Sequence, residues 1–235
     1  MLKVTNVDKN GVGYELGIEP GDEIVSFDGY EAEDLLDYLY YEGQEAFVVG
    51  VKRDGKITEC EVEKYDDETL GLDFESDNLD IRLCHNNCIF CFVAQLPANM
   101  RPTLYVKDDD YRQSFLCGNY VTLTNLKKGD IDRIIRLNLS PLYISVHTTN
   151  GELRNKMLSN RFADRINDQL ERLNAAGIPA EMDVYPTNMH AFDMMRPDDP
   201  LSIAAAEAFN RRFAEAQRSF FAPQAEDGAE RQAGG

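Results

Sequence analysis

The sequence has little positive charge for its length. Its 235 residues include 24 Lys and Arg against 42 Asp and Glu, which gives a formal net charge of −18 at pH 7. Because a surface with this excess of carboxylates repels phosphate groups, we expect neither a general nucleic-acid-binding protein nor a protein that binds anionic membranes. The composition still leaves room for a local basic groove.

Long hydrophobic runs are also lacking. No run reaches the roughly 18 apolar residues of a membrane-spanning helix, and residues 1–12 have neither a basic n-region nor an apolar h-region. We therefore expect a soluble, cytoplasmic protein that does not associate with a membrane. Since 43% of the residues are hydrophobic, the chain can bury the core of one or two globular domains.

Cysteines are few, but three of the five fall within one short segment. Cys84, Cys88 and Cys91 lie within eight residues, a spacing that is poor for a disulfide framework and good for a metal. Three thiolates can bind three irons of a 4Fe-4S cluster and leave the fourth iron open to a small molecule. The segment therefore predicts a metal site with these three ligands.

A structural zinc site is the alternative interpretation of the same cysteines. It would add a fourth ligand, and the sequence offers His85, Cys117 or Cys60. His85 adjoins Cys84, so that ligation by both would need tight backbone geometry. Cys60 is expected to be a small core residue, and Cys117 is expected to have a structural role.

Residues 1–75 predict a small β-rich domain. Alternating and β-branched residues predict strands at Leu2–Val7, Glu23–Phe27, Ala46–Arg53 and Ile57–Lys64, with a helix between them at Glu31–Tyr41. The dipeptides Asp28-Gly29 and Asp54-Gly55 predict hairpin turns.

The segment from Tyr14 to Gly29 resembles the core of a PDZ domain, with Gly17 and Gly21 at its turns. This resemblance implies that an extended peptide adds to an edge strand and that backbone N–H groups capture its terminal carboxylate. The segment Leu70–Phe74 is the part of the sequence most similar to the carboxylate-binding loop of such domains, and it would require a permuted strand order.

A second pattern begins near residue 77. Strands are predicted at Leu79–Leu83, Asn119–Asn125 and Leu142–His147, and helices at Gly129–Leu137 and Arg161–Ala176. Strands that alternate with helices are typical of a parallel sheet. We therefore expect about three βα units in this part of the chain.

The cysteine spacing, with Phe90 before the last cysteine, closely matches the signature loop of radical S-adenosylmethionine (SAM) enzymes. Residues 1 to about 172 also resemble bacterial proteins that join a PDZ domain to a radical SAM domain, some of which are described as iron-sulfur oxidoreductases. The similar segments are Leu70–Glu75, Cys84–Pro97, Met100–Tyr105, Lys107–Arg112, Ser114–Leu116, Gly118–Leu126 and Ser140–His147.

This resemblance implies a 4Fe-4S cluster bound by the three cysteines, with SAM on the open iron. At the ends of the predicted strands, Asn125, Ser145 and His147 are the candidate contacts to SAM. An electron donor such as ferredoxin or flavodoxin is the implied partner, together with a possible peptide ligand of the PDZ-like domain. The substrate and the catalytic residues are not implied. The alternative function is a PDZ-type peptide-binding module with a structural zinc or iron-sulfur site.

The chain beyond Gly177 has a different character. A strand at Ala180–Tyr185, a loop with His190 and a helix at Pro200–Phe221 resemble the C-terminal end of α/β-hydrolase esterases. No G-x-S-x-G nucleophile motif accompanies them, and a histidine alone cannot hydrolyse an ester. This combination suggests a chimeric or truncated chain.

The expected fold is therefore an α+β PDZ-like N-terminal domain followed by an α/β partial radical-SAM (βα) barrel. The expected boundaries are 1–75 for the PDZ-like domain, 76–177 for the partial barrel with its cysteine loop, 178–222 for the strand-loop-helix segment and 223–235 for a disordered tail.

Overall fold

The computed structural model describes residues 1–178 and 198–221. The chain divides into two compact units, Met1–Ala180 and Glu181–Gly235. In the second unit, a helix extends from Pro200 to Phe221, as the sequence predicts. The predicted strand at 180–185, His190 and the tail at 223–235 lie outside the described residues, so the resemblance to esterases stays a prediction.

The N-terminal part forms a six-stranded sheet in the order β5-β4-β2-β1-β6, with β3 paired to β2. Every pairing in this sheet is antiparallel. The strands are β1 (Leu2–Val7), β2 (Glu23–Phe27), β3 (Tyr30–Glu31), β4 (Ala46–Arg53), β5 (Lys56–Glu63) and β6 (Leu72–Phe74). Asp28-Gly29 and Asp54-Gly55 have positive φ angles, which the predicted two-residue hairpin turns require.

Two helices accompany the sheet, α1 (Val12–Glu15) and α2 (Leu35–Glu42). The core of this part is apolar: Leu2, Ile24 and Phe27 are fully buried. The Phe27 ring stacks on Tyr41 of α2, with 4.9 Å between the ring centroids. Apolar packing between α2 and the sheet therefore holds this part together.

The following part contains two parallel strands, β7 (Tyr120–Val121) and β8 (Tyr143–Ile144). Its helices are α3 (Tyr111–Cys117), α4 (Asp130–Arg136), α5 (Gly151–Leu158) and α6 (Ile166–Ala175), and short 3₁₀ helices lie at Val93–Gln95, Pro102–Tyr105 and Ala163–Arg165. One apolar cluster surrounds Ile134, and a second one joins Val121, Leu123 and Ile166.

The first predicted strand of the βα series, Leu79–Leu83, does not form. Leu83 makes only an isolated antiparallel bridge to Asp108. The neighbouring Arg82 N–H donates to the Asp110 carboxylate at 3.1 Å, so that a side chain takes the place of a strand partner. The described residues thus form a mixed α/β fold with two parallel strands rather than three βα units, and they do not close a barrel.

A buried ionic network joins the N-terminal sheet domain to the residues after it. Asp34 and Asp37 of the α2 capping box receive the Arg133 guanidinium from α4 at 2.6 and 2.7 Å. Arg112 of α3 bridges Asp34 and Asp110 at 3.1 and 2.7 Å. All five side chains are at most 6% exposed, so both parts contribute to one continuous interior of the first unit.

None of the helices in the described parts of the chain combines the length and the hydropathy that crossing a membrane would need.

Candidate metal centre

The segment from Cys84 to Cys91, here called the cysteine loop, is irregular and is fixed by backbone hydrogen bonds to two other segments. Cys84 N–H donates to the Lys107 carbonyl at 2.7 Å. Further along, Asn87 N–H and Ile89 N–H donate to the carbonyls of Leu158 and Met157, each at 3.0 Å. Since these carbonyls belong to the C-terminal turn of α5, that helix supports the centre of the loop.

Asn86 is the buried anchor of the cysteine loop, with 3% of its surface exposed. Its amide nitrogen donates to Thr122 Oγ1 at 2.9 Å, and its amide oxygen accepts from Thr124 Oγ1 at 2.9 Å and from Asn160 Nδ2 at 2.7 Å. The backbone carbonyl of Asn86 accepts from Lys107 Nζ at 3.2 Å. The side chain thereby ties the loop to the segment that follows β7.

Asp109 completes this network beneath the loop. Its carboxylate accepts from Thr122 N–H at 2.6 Å and from Thr122 Oγ1 at 2.7 Å, and Thr124 Oγ1 lies 3.2 Å away. The carboxylate is buried and is fixed by charge-assisted hydrogen bonds. The position of the cysteine loop relative to β7 therefore depends on hydrogen bonds between the polar side chains of Asn86, Asp109, Thr122 and Thr124.

The three thiols of the loop are partly buried and close enough to one another for their charges to interact. Burial raises the pKa of Cys84, and nearby Asp109 and Cys91 add to the rise. Burial also raises the pKa of Cys88, with further contributions from Cys84 and Cys91, while Lys107 opposes both rises. Metal binding at these thiols must therefore displace protons.

Three cysteines on one loop match the soft donor set of a 4Fe-4S cluster with three protein ligands. Within residues 1–178 and 198–221, no three His, Cys, Asp or Glu side chains are already gathered closely enough to hold a single metal ion. The donor chemistry of the loop fits the cluster. Cys84, Cys88 and Cys91 are the residues that would hold it.

Arg154 of α5 is the largest of the fully buried side chains in the described part of the chain. Its guanidinium donates to four backbone carbonyls, those of Thr122, Ser145, Val146 and Ala163, at 2.6 to 3.0 Å. Burial lowers its pKa, while Asp109 and Cys88 act against this shift. Arg154 therefore holds together the chain segments after β7 and β8 and places a buried positive charge near the cysteine loop.

Two of the three predicted SAM contacts lie next to the cysteine loop. Asn125 donates through its amide to the carbonyls of Leu83 and Asp109 at 3.0 and 3.4 Å. Ser145 follows β8, and its N–H donates to the Val121 carbonyl at 2.8 Å. The His147 ring contacts the Phe90 ring of the loop, with 4.9 Å between centroids. Asn125 and His147 are thus adjacent to the segment that bears the cysteines.

The residues proposed as a fourth zinc ligand are scattered. Cys60 lies in β5 and packs against the N-terminal core. Cys117 ends α3 and donates its thiol hydrogen to Gln113 Oε1 at 3.6 Å. His85 is an exposed residue of the loop itself.

Sequence patterns did not identify Asn86, Asp109, Thr122 or Arg154 as residues of the site. Asp109 belongs to a run of three acidic residues, a pattern typical of a solvated loop, and a buried arginine in a helix has no distinctive local pattern. Only the adjacency of Asn86 to the first cysteines pointed toward the site.

The cysteine loop beside the ends of two parallel strands defines a mixed α/β protein with a three-thiol candidate cluster site. A family profile described as Radical SAM-like domain matches residues 64–188, which is more than half of the chain. The protein therefore belongs to the radical SAM-like family, as the cysteine spacing predicts. A search of curated proteins finds no match.

Proposed function

We propose that this protein is a radical SAM-type iron-sulfur enzyme with an oxidoreductase role. Cys84, Cys88 and Cys91 bind the 4Fe-4S cluster in this proposal, and Asn125, Ser145 and His147 lie where SAM binds. The observation that carries it is the family match across the three-cysteine loop. The bound cluster would supply the electron that cleaves SAM, which is chemistry of the cofactor rather than of the protein.

The residues of this chain have supporting tasks in the proposed enzyme. Asn86 and the α5 carbonyls orient the backbone of the cysteine loop. Arg154 holds the strand ends and contributes positive charge near thiols that become anionic thiolates when they bind iron. The Phe90 ring of the loop packs against the His147 ring.

A one-electron donor such as ferredoxin or flavodoxin is the proposed partner, because a cluster of this kind must be reduced before it can react. The free cysteines of the described chain would suit a reducing compartment, and we propose a cytoplasmic location for that reason.

A second candidate function, peptide binding by a PDZ-like domain, is favoured by the position of β6 at the edge of the N-terminal sheet. A cleft of about 640 Å³ lies between β6 and α2, and Tyr38 and Glu42 line it. However, the Glu42 carboxylate accepts from Leu70 N–H at 3.0 and 3.2 Å. A terminal carboxylate of a peptide would have to displace Glu42 from this N–H group.

Anaerobic reconstitution with iron and sulfide tests the proposed enzyme. We expect about four irons per chain, a Cys88→Ala variant without the cluster, and a Cys117→Ala variant that retains it. These two cysteines form a matched pair, since only the first lies in the loop. Stoichiometric zinc with no iron uptake would instead support the structural zinc site, and loss of the cluster in Cys117→Ala would indicate a fourth thiolate ligand.

A further inference from the structure

A cleft of about 790 Å³ opens beside the cysteine loop. Its walls come from the segment after β7, residues 123–127, and from residues 159–169 at the start of α6. His85, the neighbour of Cys84, also lines it. A molecule bound in this cleft would therefore lie beside the cysteine loop.

The charge of this cleft is opposite to that of the whole chain. Arg82, Lys127, Arg161 and Arg165 line it, and the described residues of its lining include no Asp or Glu. The chain as a whole has a net charge of −18. A concentration of positive charge in a concave site of an acidic protein attracts anions to that site.

Three of the four cations are available to a ligand. Arg82 is paired with Asp130 at 2.7 Å. Lys127, Arg161 and Arg165 form no ion pair with any residue of the described chain. The cleft therefore presents three positively charged side chains that form no ion pair within the described chain.

Two of these cations are held by an aromatic ring. The guanidinium carbons of Arg161 and Arg165 lie 4.7 and 4.6 Å from the centroid of Phe162. Contacts of this kind restrict the planar guanidinium groups. Because the groups are already ordered, an oxyanion that binds them loses less side-chain entropy.

The amide groups in the lining are already used for structure. Asn125 donates to the Leu83 carbonyl, and Gln169 donates to the Leu123 carbonyl at 3.1 Å. Asn160 donates to Asn86. Recognition in this cleft must therefore depend mainly on charge and on guanidinium geometry, which suits phosphate and carboxylate groups.

We propose that this cleft binds a small molecule with a multiply charged oxyanion group, either phosphate or carboxylate. Its role as the substrate site of the enzyme rests on the proposed function, but the binding itself does not. Asn125, one of the proposed SAM contacts, also lines this cleft, so the oxyanion is assigned to the part of the cleft formed by Lys127, Arg161 and Arg165.

Titration of the full-length protein with inorganic pyrophosphate and, separately, with citrate tests this proposal. Calorimetry at low ionic strength should detect saturable binding of at least one probe, and the preferred probe identifies phosphate or carboxylate as the group. Binding should weaken about tenfold or more in an Arg161→Gln/Arg165→Gln double variant, because two charge-assisted contacts are lost. It should also weaken with added salt.

Two variants serve as matched controls. Arg172→Gln removes an exposed cation from the same helix region, where Arg172 pairs with Asp132 outside the cleft. Lys128→Gln removes an exposed cation next to Lys127 in the sequence, and Lys128 itself does not line the cleft. Both should bind the probes as the unmodified protein does, whereas Lys127→Gln should bind more weakly.

The titration is performed before and after reconstitution, so that failure of iron uptake is seen separately from failure of anion binding. Saturable binding by the protein without iron supports the cleft even if no cluster forms. The assignment is wrong if neither probe binds, if the controls weaken binding as much as the cleft variants do, or if S-adenosylhomocysteine displaces the probe competitively.

Discussion

Residues 1–75 bury mainly apolar side chains between a sheet and two helices, whereas residues 76–178 bury a larger share of charged and amide side chains beside their apolar clusters. In the first region the fully buried side chains include Leu2, Ile24 and Phe27. In the second region Arg154 is fully buried and Asn86 is 3% exposed. The proposed metal site and the cationic cleft both lie in the second region.

This difference has a physical reason. Apolar packing is favourable but non-directional, so it stabilises a domain without fixing the direction of any one group. Hydrogen bonds from buried amides and guanidinium groups are directional and costly to leave unmade. The cysteine loop has no long strand to support it, and its position depends on such directional contacts.

The largest expected effect is at the junction between the two regions. Replacing Arg133 with Ala leaves Asp34 and Asp37 buried without their main partner, which should cost about 3–5 kcal/mol of unfolding free energy. Chemical denaturation measures this loss. The control is Arg172→Ala, whose partner Asp132 is exposed and whose loss should cost about 0–1 kcal/mol. Equal effects of both changes would show that the junction does not couple the two regions.

A cavity in the apolar region should affect stability but not the site. Ile24 is fully buried in β2, and Ile24→Ala should reduce the unfolding free energy by about 2–5 kcal/mol. Iron bound per folded molecule after reconstitution should be unchanged. A fall in iron content of the folded protein would mean that the cysteine loop depends on the N-terminal core more closely than its contacts indicate.

Unlike Ile24→Ala, Arg154→Met is expected to lower iron uptake as well as stability. This change removes the donor to four backbone carbonyls near the strand ends and should cost about 1–3 kcal/mol. It should also lower iron uptake, because those segments support the cysteine loop. Arg154→Lys keeps the positive charge but lacks the planar guanidinium group. Its stability and iron uptake should lie between those of the unmodified protein and those of the methionine variant. Normal iron uptake in the methionine variant would assign Arg154 a purely structural role.

The smallest effect concerns Glu42 in the N-terminal region. Burial raises the pKa of Glu42 above its ordinary value of 4.5, and the hydrogen bond from Leu70 N–H opposes the rise only in part. The unfolded chain therefore loses this proton first as the pH rises, so that stability falls as the pH rises from about 4.5 through the folded pKa.

A Glu42→Gln variant lacks this titration, and its stability relative to the unmodified protein should increase over the same pH range. Denaturation at several pH values measures the difference. Glu31→Gln, an exposed substitution in β3, is the control and should show no such trend. A parallel pH dependence of both variants would contradict the assignment to Glu42.

The strands of the first region were predictable because each has apolar residues on one face. β1, β2 and β4 begin and end where the sequence predicts them. α5 was not predicted, since one of its two buried side chains is Arg154 and its sequence GELRNKML has little apolar periodicity. Patterns based on hydrophobicity detect buried residues only where those residues are apolar.

The sequence by itself determined the family, the three-cysteine loop that is proposed to bind the cluster, and the apolar sheet, because each depends on residues that are close together along the chain. Only the tertiary structure decided which charged side chains are buried against one another and which remain available to bind a ligand. Arg133 meets Asp34 across 99 residues of chain, and the cationic cleft joins segments near residues 82, 127 and 165. The energy of a charge depends on its surroundings in space, and no local pattern of residues specifies those surroundings.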